Sequence, residues 1–208
     1  MPERIGLAAH DISCQRGGRV LFHDLSFALA PSEGLLVTGP NGAGKTSLLR
    51  QIAGLLPLAA GWLNLEGAKQ DAELPELCHY VGHLNGIKTS FTVRENLAFW
   101  ADYLGENDGS VPSALGAFGL TPLADFSAGL LSAGQKRKLA LSRLYAAQRP
   151  IWLLDEPQVS LDAASVKLLD KALKDHLAAG GLALVASHTP LKTKFAHRLA
   201  LGGKEPVA

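Results

Sequence analysis

The apolar run Gly34-Leu35-Leu36-Val37-Thr38 breaks into Gly39-Pro40-Asn41-Gly42-Ala43-Gly44-Lys45-Thr46, and the stretch from Gly44 to Ala53 then places Leu48, Leu49 and Ile52 on one helical face. A buried strand, a glycine-rich turn and a helix in that order leave few folds open. Glycines let the backbone curl until successive N–H groups point at one centre, and the start of the helix adds its positive dipole end there. Such a loop is built for phosphate oxygens. Lys45 would bring a point charge to the β- and γ-phosphates of a nucleotide, and the Thr46 hydroxyl would ligate Mg²⁺. The phosphate-binding set runs over Gly39, Pro40, Asn41, Gly42, Ala43, Gly44, Lys45, Thr46 and Ser47.

A second apolar run, Ile151-Trp152-Leu153-Leu154, ends in Asp155-Glu156. A buried strand would deliver both acids to the carboxyl edge of a parallel sheet, where ligands of such sheets bind. Asp155 would hold Mg²⁺, through water, and Glu156 would polarise an attacking water. The run 182–187 is again strand-like, and the helix expected over Ala163 to Ala178 makes the two strands parallel and adjacent or nearly so. Residues 5–29 alternate loosely and predict two or three antiparallel strands, with 62–67 adding another. From Val93 to Gln148 the pattern is helical, with helices opening at Val93 and Ala133. The predicted class is α/β, a P-loop nucleotide-binding core with an antiparallel β subdomain and a helical insertion. One domain covers 1–208, its core at 1–83 and 149–208 and its helical subdomain at about 84–148.

Charge and apolar patterning narrow the setting. The net charge of +1 gives no electrostatic ground for a nucleic-acid partner. Cys14 and Cys78 form no C-x-x-C pair, which suits reduced thiols in a cytosolic compartment. The first residues lack the sustained apolar core of a secretory signal. No run reaches the roughly 18 apolar residues of a membrane span, so another chain must supply any membrane part.

Leu131-Ser132-Ala133-Gly134-Gln135 precedes the basic helix start Lys136-Arg137-Lys138. Ser132 with the backbone N–H groups of a helix start forms an anion site. The pentapeptide resembles the LSGGQ signature of ATP-binding cassette (ABC) proteins, with Ala133 in place of the first glycine. That resemblance implies a head-to-tail homodimer in the ATP-bound state, each signature completing the γ-phosphate pocket of the other subunit. Val159-Ser160-Leu161-Asp162 is similar to the family's D-loop, which links the two sites through Asp162. Ser187-His188 is similar to the switch that contacts the γ-phosphate, so Glu156 and His188 are the implied catalytic pair. Two further positions depart from the family. Arg16 stands where an aromatic residue often stacks on adenine, and His83 stands at the Q-loop position. The alternative for His79-x-x-x-His83, a metal pair, lacks further ligands.

Asn41-Gly42-Ala43-Gly44-Lys45-Thr46, then Val81-Gly82-His83 leading into Gly86-Ile87-Lys88-Thr89, together with Glu95-Asn96-Leu97-Ala98-Phe99 and 131–135, resemble the ATP-binding subunits of bacterial cytochrome c maturation, the haem exporter branch of the ABC family. The resemblance spans about residues 4–201. It implies ATP hydrolysis coupled to haem export or delivery, a separate integral-membrane permease, haem-handling maturation proteins, and a peripheral place on the cytoplasmic face of the inner membrane. His83 and Lys88 in the insertion are candidates for the permease-facing surface. The competing readings are a cassette of another solute transporter, a soluble ABC ATPase on DNA or ribosomes, and a small-molecule kinase. The last is disfavoured by the signature and D-loop matches, and the soluble ATPase by the absence of tandem cassettes, coiled-coil inserts and basic arms.

Overall fold

Alternation inside the apolar runs decides how the layers stack. A computed structural model describes residues 4–69, 71–105 and 110–202. In β3 (Gly34–Thr38), Leu35 and Val37 face one core while Leu36 faces another; β6 (Ile151–Asp155) and β7 (Leu182–Ala186) divide in the same way. Strands buried on both faces belong in the middle of a parallel sheet. They lie there, in a five-stranded parallel sheet of order β5-β6-β7-β3-β8, with β5 at Cys78–Val81 and β8 at His197–Ala200. The expected adjacency of β6 and β7 holds, with Asp155 opposite Ala186. β5 and β8, on the sheet's two edges, were not expected.

The first core packs one sheet face against α1 (Lys45–Ile52) and against a three-stranded antiparallel sheet of order β2-β1-β4. That sheet comprises β1 (Gly6–Arg16), β2 (Arg19–Leu29) and β4 (Ala60–Glu66). The second core lies on the other face, where Leu141 and Leu144 of α4 (Ala133–Ala146) and Leu169 and Leu173 of α5 (Ala163–Ala178) cover Trp152, Leu154 and Val185. A third core belongs to the helices themselves: Val93 and Leu97 of α2 (Val93–Tyr103) and Leu115 of α3 (Val111–Ala117) pack with Leu139. α4 thus contributes to both the sheet core and the helical core. The helical stretch expected over 93–148 passes through 106–109, which lie outside the described residues.

Capping fixes where these helices begin. Thr92 with Glu95, and Ser132 with Gln135, form reciprocal capping boxes on α2 and α4, each cap contributing about 1 kcal/mol.

Two histidines are held as neutral groups, His79 buried and His176 half-buried. His79 Nε2 donates to Ala147 O at 2.6 Å, and burial holds its pKa down at about 3. His176 lies stacked on Trp152 at 3.9 Å, and burial lowers its pKa to about 4. Below the ordinary histidine pKa of about 6.5, the unfolded chain takes up protons that the folded chain refuses, so stability falls as pH drops from there toward 3–4. Each histidine adds a slope of up to ~1.4 kcal/mol per pH unit in that window. Urea midpoints measured from about pH 7.5 to about pH 4.5 should fall with acid, and His79→Gln, which keeps a donor for Ala147, should remove about half of the fall.

Candidate nucleotide-binding site

α1 begins differently from α2, α4 and α5. Side chains of Thr92, Ser132 and Asp162 close those three, but the residue before α1 is Gly44 in the left-handed region (φ 103°), and no side chain caps it. The first intrahelical bond is Leu48 N to Gly44 O at 2.8 Å, so the N–H groups ahead of it face the loop without an intrahelical acceptor. An anion is the natural partner for that end.

The loop is wound around a lysine. Lys45 is almost buried, and its Nζ donates to Gly39 O at 2.7 Å and Pro40 O at 3.2 Å. Gly39 has φ 139°, and a Cβ there would stand 2.3 Å from Leu201 O. A Cβ on Gly44 would meet the Phe22 ring at 3.0 Å. The loop therefore lies tight between β2 and the end of β8. Ser47 is buried beside the Cys14 thiol.

The other chemical groups reach the same sheet edge through a continued ladder. Past the strand ends, Glu156 N donates to Ala186 O (2.8 Å), Ser187 N to Val37 O (3.1 Å) and Leu201 N to Thr38 O (2.8 Å). Thr46 Oγ1 donates to Asp155 Oδ2 at 2.7 Å, with Asp155 buried. Glu156 sits in the left-handed region at φ 47°, and its Oε2 lies 2.9 Å from His188 Nδ1 and accepts from His188 N at 3.4 Å. Lys45, Thr46, Asp155, Glu156 and His188, named from separate stretches of sequence, are gathered at one place. The hydroxyl of Thr46 and the carboxylate of Asp155 form an all-oxygen pair of the kind Mg²⁺ accepts.

Other expected residues lie elsewhere. Ser132 Oγ accepts from Gln135 N (3.2 Å) and Gln135 Oε1 from Ser132 N (2.8 Å), so both side chains serve the cap of α4. Leu131 is buried, Ser132 and Ala133 are exposed, and a Cβ on Gly134 would come within 2.8 Å of Ser160 O. Among the described residues, no hydrogen bond or ion pair joins 131–135 to 39–47. Asp162 accepts from Ser165 N at 2.7 Å and caps α5. His83 is exposed and Arg16 is exposed at the tip of the β1–β2 hairpin. The metal pair is excluded by His79, which points into the core at Ala147.

Sequence reasoning missed Gln158. Its Nε2 donates to Ser187 Oγ (3.2 Å) and Thr189 O (2.8 Å), pinning both flanks of His188 to the chain just after Glu156. A polar side chain between Glu156 and the D-loop match was the available signal. It missed Leu201-Gly202 as well, which only the glycine after the last apolar residues could have marked.

The family description "ABC transporter" matches residues 22–159. A protein of Chelativorans sp. named cytochrome c biogenesis ATP-binding export protein CcmA is 47% identical over 197 residues, covering 94% of this chain and 98% of its own length. The protein of the same name from Rhodospirillum rubrum is 49% identical over 198 residues, covering 93% and 84%. A solved Pyrococcus furiosus chain, described as an ABC transporter ATP-binding protein, superimposes with a TM-score of 0.80 at 21% identity over 94% of this chain and 97% of its own.

Gly39→Ala forces a Cβ against the Leu201 carbonyl, whereas Gly42→Ala meets nothing within 4 Å. Gly39→Ala should cost about 1–3 kcal/mol in thermal unfolding and most of the affinity for nucleotide, with Gly42→Ala milder in both. Scanning fluorimetry with and without ATP reads the difference.

Proposed function

The chain belongs to the ABC transporter family, and from that premise we propose that it is the ATP-binding and hydrolysing subunit of a transporter complex serving cytochrome c biogenesis. One observation carries the ATPase reading: an uncapped helix start and a lysine-centred loop stand beside Thr46 hydrogen-bonded to Asp155 at 2.7 Å. The cytochrome c reading is supported by near-full-length identity to proteins of that name.

In this reading Gly39 to Ser47 cradle the phosphates and Lys45 exchanges its carbonyl partners for phosphate oxygens. Thr46 and Asp155 would hold Mg²⁺, which neutralises charge on the β- and γ-phosphates. Glu156 orients the attacking water and takes its proton, and His188, already paired with it, senses the γ-phosphate. The exposed start of α4 (Ser132, Gly134) would face the γ-phosphate held by a second copy in an ATP-bound homodimer, with Asp162 in the segment between the sites.

In the same reading the helical subdomain spans about 84–148, set on a nucleotide-binding core of 1–83 and 149–208. Its surface exposes Leu84, Phe99 and Tyr103, with Lys88 Nζ placed 5.9 Å from the centre of the Phe99 ring. An aromatic patch with one cation suits an apolar segment of a membrane partner. We place there a separate permease with its haem-handling proteins, and the chain itself on the cytoplasmic face of the inner membrane. No helix among the described residues is long and apolar enough to cross a membrane.

Glu156→Gln should keep ATP affinity while turnover falls at least about 100-fold. Light scattering of that variant with saturating Mg-ATP should give a dimer; full, concentration-independent turnover by a strictly monomeric wild-type chain would sink the sandwich. Tagged Glu156→Gln drawn from native membranes with Mg-ATP should bring a multispan protein and haem-containing proteins; ribosomal or DNA-bound partners instead would refute the cytochrome c assignment.

A further inference from the structure

Among the described residues, no carboxylate side chain pairs directly with the buried Arg137. In the sequence it is the middle residue of a basic run at the start of α4, yet it is only 3% exposed. Its Nε donates to Pro157 O at 3.1 Å. Nη1 donates to Gly82 O at 2.7 Å and to Asn85 Oδ1 at 3.1 Å. Nη2 donates to Asp155 O at 2.9 Å and to Glu156 O at 3.0 Å. A guanidinium has five N–H donors in a rigid fork, and here all of them are used.

The acceptors fall into two groups. Gly82 and Asn85 belong to the segment that leaves β5 for α2. Asp155, Glu156 and Pro157 carry the backbone of the acid pair. Glu156 is thereby held from both sides, its N–H by Ala186 O of β7 and its carbonyl by Arg137 of α4. Its φ of 47° is one that a non-glycine residue keeps only when neighbours impose it. A second arginine of α4 reinforces the first group: Arg143 donates to Tyr80 O and lies 4.7 Å from the centre of the Trp100 ring of α2. Because the fork is rigid, displacing the 82–85 segment or α4 against the sheet must shift the carbonyls of 155–157 or break bonds to them.

We propose that Arg137 is a positioning residue for hydrolysis, the link through which the helical insertion sets the backbone, and hence the carboxylate, of Glu156. The proposal rests on the ATPase reading. It also assigns Asn85 to the same device, as the only side-chain acceptor in the set.

The test is steady-state hydrolysis and ATP binding by the purified full chain. Arg137→Lys keeps the charge but not the fork, and should lower kcat by about 10- to 100-fold while the ATP dissociation constant moves less than about threefold. Asn85→Ala, at a half-buried loop position, leaves the core intact and should lower kcat in the same direction by a few-fold. Since Arg137 acts through Glu156, Arg137→Lys placed in Glu156→Gln should reduce the residual rate no further. Folded variants with wild-type kcat would overturn the proposal. So would equal losses of kcat and ATP affinity, or losses that multiply in the double variant. If Arg137→Lys fails to fold, Asn85→Ala alone decides between these outcomes. A wild-type chain that binds ATP without hydrolysing it overturns the ATPase reading, and this proposal with it.

Discussion

The chemistry of this chain depends on a ladder of backbone hydrogen bonds that does not stop where the strands do. The bonds Glu156 to Ala186, Ser187 to Val37 and Leu201 to Thr38 extend the parallel pairing past the sheet's carboxyl edge. Each contributes about 1 kcal/mol net, but their larger effect is geometric. They fix the relative heights of four chain ends, so the phosphate loop, the acid pair and His188 emerge at one level. A slip of one residue in β6 would turn Asp155 away from Thr46 and send Trp152 to the wrong core.

Around that edge, buried cations are satisfied by neutral oxygens. Lys45 binds the carbonyls of Gly39 and Pro40, Arg137 binds carbonyls and one amide, and Arg143 binds the Tyr80 carbonyl. Burial pulls Arg143 down to about 10 and lowers Arg137 as well. A carboxylate partner would relieve these cations more fully. It would also consume the acids that the site needs. Instead Arg137 grips the backbone of Asp155 and Glu156 and leaves the Asp155 side chain to Thr46 and the Glu156 side chain to His188.

How much of this was legible in the sequence follows the same physics. β3, β6 and β7 are buried on both faces and read as apolar runs, and their terminal residues carry the chemistry, so strands and site residues could be named together. α5 was legible over Ala163 to Ala178 from its helical pattern, whereas the capping role of Asp162 was not read from the sequence. β5 and β8 were not, because Cys78–Val81 and His197–Ala200 are short edge strands interrupted by histidine or arginine. Their pairing is imposed by β6 and β3. His79 and His83 look alike in sequence, but one closes a buried bond to Ala147 and the other is exposed. Lys136-Arg137-Lys138 likewise reads as one solvated patch, since composition cannot say which of three cations turns inward. Ser132 and Gln135 keep to their own helix cap, and among the described residues no contact explains why Ser132 and Ala133 stay exposed.

The seat of Gly39 on the Leu201 carbonyl bears on how the molecule is made. The phosphate loop lies in the first quarter of the sequence, but its floor is the end of β8, the last strand described. A ribosome delivers residue 39 long before residue 201. The loop must wait, with its strand β3 still missing its neighbours β7 and β8, until nearly all of the described chain has emerged. A loop whose floor is Leu201 is therefore completed only after residue 201 has joined the sheet.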